Sequence, residues 1–212
     1  MGSYPGTQYN DITYDCFKGP NTADYYNKFT LFNGYCPKKG CDPSIINNLG
    51  STPTYTPIMR YAEVLLSYLE AVNESAPASV DQTLLDLTIN DVRSRVQLPG
   101  LKKTDLSTQE QVRTAVRKER RVELALEGLR YYDVLRWDIA EKELNHTFTG
   151  VKLSDDPNAR NYRGSGTAAS PVDEDMYYQF EKRTWAAHNR YFPIPQNDMN
   201  VNKNLKQNEG YN

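Results

Sequence analysis

The sequence predicts a mainly α fold of tetratricopeptide-like helical hairpins with long irregular loops. Apolar residues recur at three- and four-residue steps from Ile58 to Val72 and again from Val112 to Leu129. Pro77 and Pro99-Gly100 cut the middle of the chain into short segments, and the flanks are polar and rich in Gly, Asn and Asp. Successive hairpins of this kind bury their apolar faces on one another, as helical-repeat arrays do.

Four regions follow in order: 1–56, 57–142, 143–187 and 188–212. Residues 1–56 carry scattered Gly, Pro, Asn and Asp with short aromatic stretches such as Phe29-Thr30-Leu31-Phe32, which predicts irregular structure with one or two strands. After Pro57, the positions Ile58, Tyr61, Ala62, Leu65, Leu66, Leu69 and Val72 form the apolar face of an amphipathic helix that Pro77 ends. Ser79 or Asp81 can cap a second helix with Leu85, Ile89, Val92 and Val96 on its face, stopped by Pro99-Gly100. Ser107 and Glu110 have capping-box spacing, and Val112, Ala115, Val116, Val122, Leu126 and Leu129 mark a long helix behind them. Gly128 predicts a break, followed by a fourth helix burying Tyr131, Val134, Leu135 and Ile139. Residues 143–187 turn polar around Gly164-Ser165-Gly166 and predict a long loop, a length more often functional than incidental. In the tail, Tyr191-Phe192-Pro193-Ile194-Pro195-Gln196 is held extended by its prolines, with Phe192 and Ile194 placed to dock on the helices.

Composition narrows the function classes. Across 212 residues, 25 Lys and Arg stand against 27 Asp and Glu, a net charge of −2 that gives no field for a phosphate backbone. Nucleic acid is not an expected partner: in the run Arg117-Lys118-Glu119-Arg120-Arg121, Glu119 and the following Glu123 and Glu127 stand at helical ion-pair spacing. No run approaches the ~18 apolar residues of a membrane span. Met1-Gly2-Ser3 has the look of an appended start, so any natural targeting segment is expected outside this chain. Cys36 and Cys41 enclose a four-residue loop that a disulfide could close, leaving Cys16 unpaired, or all three could be free thiols. Zinc is poorly supported, because the only two histidines lie far from the cysteines.

Catalytic patterns are missing. His146 and His188 have neither a Gly-x-Ser-x-Gly turn nor a His-Glu-x-x-His helix beside them and are expected to be structural or surface residues. Asp173-Glu174-Asp175 could hold a hard cation, although a solvated loop is the simpler expectation. Gly164 to Ala169 matches a dinucleotide fingerprint only formally, since polar residues precede it and Ser170-Pro171 interrupts any following helix. Asn73-Glu74-Ser75 and Asn145-His146-Thr147 match a glycosylation acceptor by pattern alone. No cofactor, no metal and no enzymatic activity are expected. Tyrosine dominates the aromatic residues, 16 Tyr against 6 Phe and 2 Trp. In the front, Tyr25, Tyr26, Phe32, Tyr35 and Tyr55 stand among Asn, Asp and Lys. Such rings either pack under loops or offer flat faces to the C–H face of a sugar.

Several stretches, taken in order, resemble one family. Arg60-Tyr61-Ala62-Glu63-Val64-Leu65-Leu66 with Glu70-Ala71-Val72-Asn73-Glu74, and Ile89-Asn90-Asp91-Val92-Arg93-Ser94-Arg95, resemble successive helices of SusD/RagB proteins, the surface glycan-binding lipoproteins of Bacteroidetes-type bacteria. The run from Val116 through Arg120-Arg121-Val122-Glu123-Leu124 and Glu127-Gly128-Leu129-Arg130-Tyr131-Tyr132-Asp133 to Trp137 is the most distinctive. Tyr191 to Gln196 with Asn204 to Tyr211 resembles the closing segment, except that Asn202 is followed by Lys203 where the family often has proline.

The resemblance covers roughly half the chain and implies the carboxy-terminal part of a longer SusD-like domain. It implies non-catalytic capture of an oligosaccharide or polysaccharide at the outer membrane, on a surface-exposed lipoprotein whose anchor lies in a segment absent from this chain. The implied partners are the glycan and a SusC-like TonB-dependent transporter. A helical-repeat module that docks a protein and has no sugar site is the other expectation. Candidate sugar platforms are Tyr25, Tyr26 and Tyr35 in the front and Trp185 in the late loop. Arg120, Glu123, Glu127, Arg130 and Arg136 are expected to tie neighbouring helices together and not to touch ligand.

Overall fold

The computed structural model describes residues 57–152, 173–175 and 177–211, with 2–3, 8–9, 12–13, 35–37 and 39. Cys16 and Cys41, Gly164 to Ala169, and the front rings Tyr25, Tyr26, Phe32 and Tyr55 lie outside the described residues. The chain forms two compact units, one from Ser44–Arg130 and one from Gly2–Pro43 with Tyr131–Asn212. Helices dominate, as the apolar periodicity predicts, and among the described residues no helix is long and apolar enough to cross a membrane.

The first unit holds α1 (Tyr61–Ser75), a 3₁₀ turn at Pro77–Ser79, α2 (Gln82–Leu87), α3 (Ile89–Ser94) and α4 (Gln109–Glu123). Leu65, Leu66 and Leu69 of α1 are buried with Val80, Leu85, Ile89, Val92, Val112 and Val116 in one cluster. Each fully buried aliphatic chain contributes about 1.5–3 kcal/mol relative to exposure. The α1 face is narrower than the periodicity predicts, because Tyr61 is 70% and Ile58 102% exposed.

Three local expectations are corrected. The second helix is two pieces: buried Thr88 donates its hydroxyl to the Leu84 carbonyl, 2.5 Å away, and its own backbone leaves the helical region. The capping box lies one residue later than Ser107 and Glu110. Thr108 Oγ1 accepts from the Gln111 N–H at 3.2 Å while Gln111 Oε1 accepts from the Thr108 N–H at 3.0 Å. Glu110 pairs with Arg113 instead. The long helix ends at Glu123, not Leu129, as Leu126 and Gly128 take left-handed conformations.

Charged residues tie the helices across the apolar cluster. Arg60 donates to Glu123 at 2.8 Å and in a fork to both oxygens of Glu127, at 2.9 and 2.6 Å. Arg95 reaches the same Glu123 at 2.7 Å, and Arg93 meets Glu119 at 2.8 Å. Such forks fix orientation as well as energy. Arg120 donates to Ser67 at 2.8 Å, joining α4 to α1. Asn73 is 1% exposed and exchanges hydrogen bonds with Gln109, which excludes it as a glycosylation acceptor in the folded chain.

The second unit contains short antiparallel pairs, β1 (Gly2–Ser3) with β4 (Cys36–Pro37) and β2 (Gln8–Tyr9) with β3 (Ile12–Thr13). A longer antiparallel pair joins β5 (Thr147–Lys152) to β6 (Tyr177–Lys182), with Thr147 opposite Lys182. These strands lie inside 143–187, where polarity alone predicts loop; the β-branched and aromatic residues Thr147-Phe148-Thr149 and Tyr177-Tyr178 carry the strand propensity. Asp173 accepts the Tyr177 N–H at 2.8 Å and so closes the turn into β6. Helix α5 (Leu129–Arg136) from Tyr131 onward, α6 (Ala140–Leu144) and α7 (Gln196–Val201) complete the unit. In α5, Val134 is buried while Tyr131 is exposed, and in the tail Phe192 is 76% exposed instead of docked. Phe192 stands 6.4 Å from the Tyr131 ring.

Candidate functional site

The site is built by a helix stop, a side-chain clasp and a closed tail. At the end of α5, the Ile139 N–H bonds the Val134 carbonyl at 3.2 Å and the Asp138 N–H bonds the Leu135 carbonyl at 3.1 Å. That is a Schellman stop with Asp138 in the left-handed position, φ 54°, where glycine is the usual residue. The stop turns the chain into α6 and leaves the Asp138 side chain in solvent.

Trp185 is set by Asn145, just past α6. The Asn145 amide donates to the Trp185 carbonyl at 3.0 Å, and its oxygen accepts the Trp185 N–H in a short contact. One side chain thus pairs with the backbone like a strand edge. A 3₁₀ turn follows at Ala187–Arg190, opened by Asn189, whose oxygen accepts the Ala186 N–H at 2.8 Å.

The tail holds this turn in place. Tyr211 packs edge-on to His188 with ring centres 4.9 Å apart, and its hydroxyl donates to the Tyr191 carbonyl at 2.8 Å. Gln207 exchanges bonds with the backbone of Ile194 at 2.8 and 3.0 Å, and Asn208 donates to the Phe192 carbonyl at 2.7 Å. Gly210 has φ 87°, and a β-carbon there would fall 2.5 Å from Cβ of His188.

The helix stop, the start of α6, Trp185 and the 3₁₀ turn line a pocket of about 290 Å³, through Leu135, Asp138, Ala140, Glu141, Trp185, Ala187 and Arg190. Arg190 pairs with Asp138. The lining thus brings an aromatic residue together with two carboxylates and a guanidinium, hydrogen-bond acceptors and donors on one small surface. His188 is occupied by Tyr211, and among the described residues no group of His, Cys, Asp and Glu is placed to hold a metal.

Of the sequence candidates, Trp185 lines the pocket. Tyr35 lies elsewhere in the unit, its hydroxyl 3.5 Å from the Gly150 carbonyl, and Tyr25 and Tyr26 lie outside the described residues. Asp138, Glu141, Arg190 and Asn145 are not expected from sequence pattern. The apolar spacing carries the fourth helix through Ile139 and so places no stop at Asp138, whereas the helix in fact ends at Arg136.

The model of the SusD family matches residues 4–211. SusD-like protein P2 of Formosa agariphila is 30% identical over 160 residues, covering 73% of this chain and 28% of its own length. A SusD-like carbohydrate binding protein of Bacteroides fragilis superposes with a TM-score of 0.78 at 31% identity, over 97% of this chain and 40% of that one. A second SusD-like protein from Bacteroides fragilis gives 0.66 at 29% identity, over 94% of this chain and 34% of its own. The chain thus spans well under half the length of these relatives, yet the match runs nearly end to end along it, and it belongs to the SusD family.

Proposed function

We propose that the chain binds oligosaccharide or polysaccharide without catalysis, at the bacterial outer membrane, and hands it to a SusC-like TonB-dependent transporter. The observation that carries the sugar site is Trp185, fixed by Asn145 at the wall of a pocket that also offers Asp138, Glu141 and Arg190. An indole excludes water from the C–H face of a pyranose while rim groups exchange hydrogen bonds with its hydroxyls. Family membership supports the ligand class, and the carbohydrate-binding relative from Bacteroides fragilis agrees with it. Tyr25, Tyr26 and Tyr35 remain candidate platforms of the same kind.

The experiment is calorimetric titration of an oligosaccharide panel against the chain and against Trp185→Ala, Tyr25→Ala, Tyr26→Ala and Tyr35→Ala. Loss of affinity in Trp185→Ala, by about tenfold, or about 1.4 kcal/mol, for a lost stacking contact, is the expected result. Unchanged affinity in all four variants would contradict the site.

A protein-docking module is the second reading, supported by the exposed side chains of Tyr61, Val64 and Tyr68 along α1. A pull-down with the neighbouring transporter, set beside a glycan array, separates the two: the docking module passes the first and fails the second.

A further inference from the structure

The rim of the Trp185 pocket is unevenly charged. Its lining brings two carboxylates, Asp138 and Glu141, against one cation, Arg190. Arg190 is already engaged by Asp138. Asp138 meets it through Oδ1, and the side chain remains 82% exposed. Glu141, on the first turn of α6, is exposed and has no ion pair or hydrogen bond among the described residues. Lys142 is next in the chain but does not line the pocket, and Arg136 is held by Asp133 at 2.8 Å and lies over Trp137.

Asp138 stands at φ 54°, where glycine is the usual residue and aspartate is among the few L-residues that also adopt the conformation, so glycine there keeps the helix stop while removing the carboxylate.

We propose that this acidic rim orders the pocket's ligands by charge: sugar units bearing a protonated amino group bind ahead of neutral units, and uronates or sulfated units bind last. The inference rests on Trp185 being the sugar platform. A ring stacked on the indole brings its substituents to the rim, where an ammonium group meets Glu141 and the outer oxygen of Asp138. A carboxylate or sulfate there meets two like charges, with the one guanidinium already shared.

The test is calorimetric titration with three oligosaccharides of equal length, built of glucosamine, N-acetylglucosamine and galacturonate, at about pH 6, where an amino group stays protonated. The glucosamine oligomer is expected to bind at least about fivefold tighter than its acetylated counterpart, with galacturonate weakest, and the spread is expected to shrink at high salt. Glu141→Gln and Asp138→Asn should each compress the order. Asp138→Gly should do so while raising the melting temperature or leaving it unchanged, which separates loss of charge from loss of fold. Equal affinities, or galacturonate ahead, with all binding lost in Trp185→Ala, would overturn the charge ordering and leave the platform standing. An order that survives intact in Trp185→Ala, or no binding of any of the three, would overturn both.

Discussion

In the unit formed by Ser44–Arg130, aliphatic side chains from α1, α2, α3 and α4 are buried together and arginine–glutamate pairs lock the helices around them. In the unit formed by Gly2–Pro43 with Tyr131–Asn212, side-chain amides of Asn145, Gln207 and Asn208 grip the backbone, and His188, Gly210 and Tyr211 close the tail. Aliphatic packing tolerates exchange of one residue for another of like volume. An amide clasp or a left-handed glycine does not, because it depends on one donor, one acceptor or one missing methyl. The first chemistry builds a scaffold, and the second fixes the geometry of a pocket.

Breaking the scaffold should cost most. Leu69→Ala removes a fully buried side chain and is expected to lower stability by about 2–5 kcal/mol in urea denaturation. Glu123→Gln should follow. Its side chain is 7% exposed and accepts from both Arg60 and Arg95, so its loss takes one carboxylate from each guanidinium, while Arg60 keeps its fork to Glu127. The cost should be about 1.5–3 kcal/mol, the range for hydrogen bonds to charged groups, because Arg95 stays in solvent and no buried charge is stranded.

Gly210→Ala tests the tail. It forces a methyl onto His188 at a left-handed backbone position and should cost about 1–3 kcal/mol. His188→Ala keeps the β-carbon that is struck, so the double variant should recover little of that loss, and full recovery would show that the ring alone is in the way. The smallest effect belongs to Glu74, whose carboxyl is held below its ordinary range by the Arg113 hydrogen bonds. A depressed pKa stabilises the fold above the unfolded-state value and is lost as pH falls through the folded-state value. Glu74→Gln should therefore cost under about 1 kcal/mol at neutral pH, and the gap should close below about pH 4. A gap that widens in acid would reverse the assignment.

The same contrast decides what was legible in sequence. Leu65, Leu66, Leu69, Leu85, Ile89, Val92, Val112 and Val116 are found from helical periodicity because burial repeats with the turn of the helix. Glu123 and Glu127 are found as helix ties because their charge would be wasteful on a packed helix without partners. Helix ends are less legible: two overlapping capping patterns compete at Ser107 and Thr108, and the structure uses the second. Tyr61, Tyr131 and Phe192 mislead, since an aromatic ring at the right spacing need not be buried. The pocket is least legible. Trp185 can be singled out by type, but its clasp by Asn145 joins residues 40 apart, and the pair of Asp138 with Arg190 joins residues 52 apart. Neither separation has any periodic trace.

The most direct test of the Trp185 site is intrinsic fluorescence during glycan titration, because the chain has only two tryptophans. Trp137 is buried, while Trp185 stands at the pocket wall. The account predicts a saturable change in emission as oligosaccharide is added, and no such change in Trp185→Phe. A saturable change that persists undiminished in Trp185→Phe would place the sugar elsewhere and contradict it.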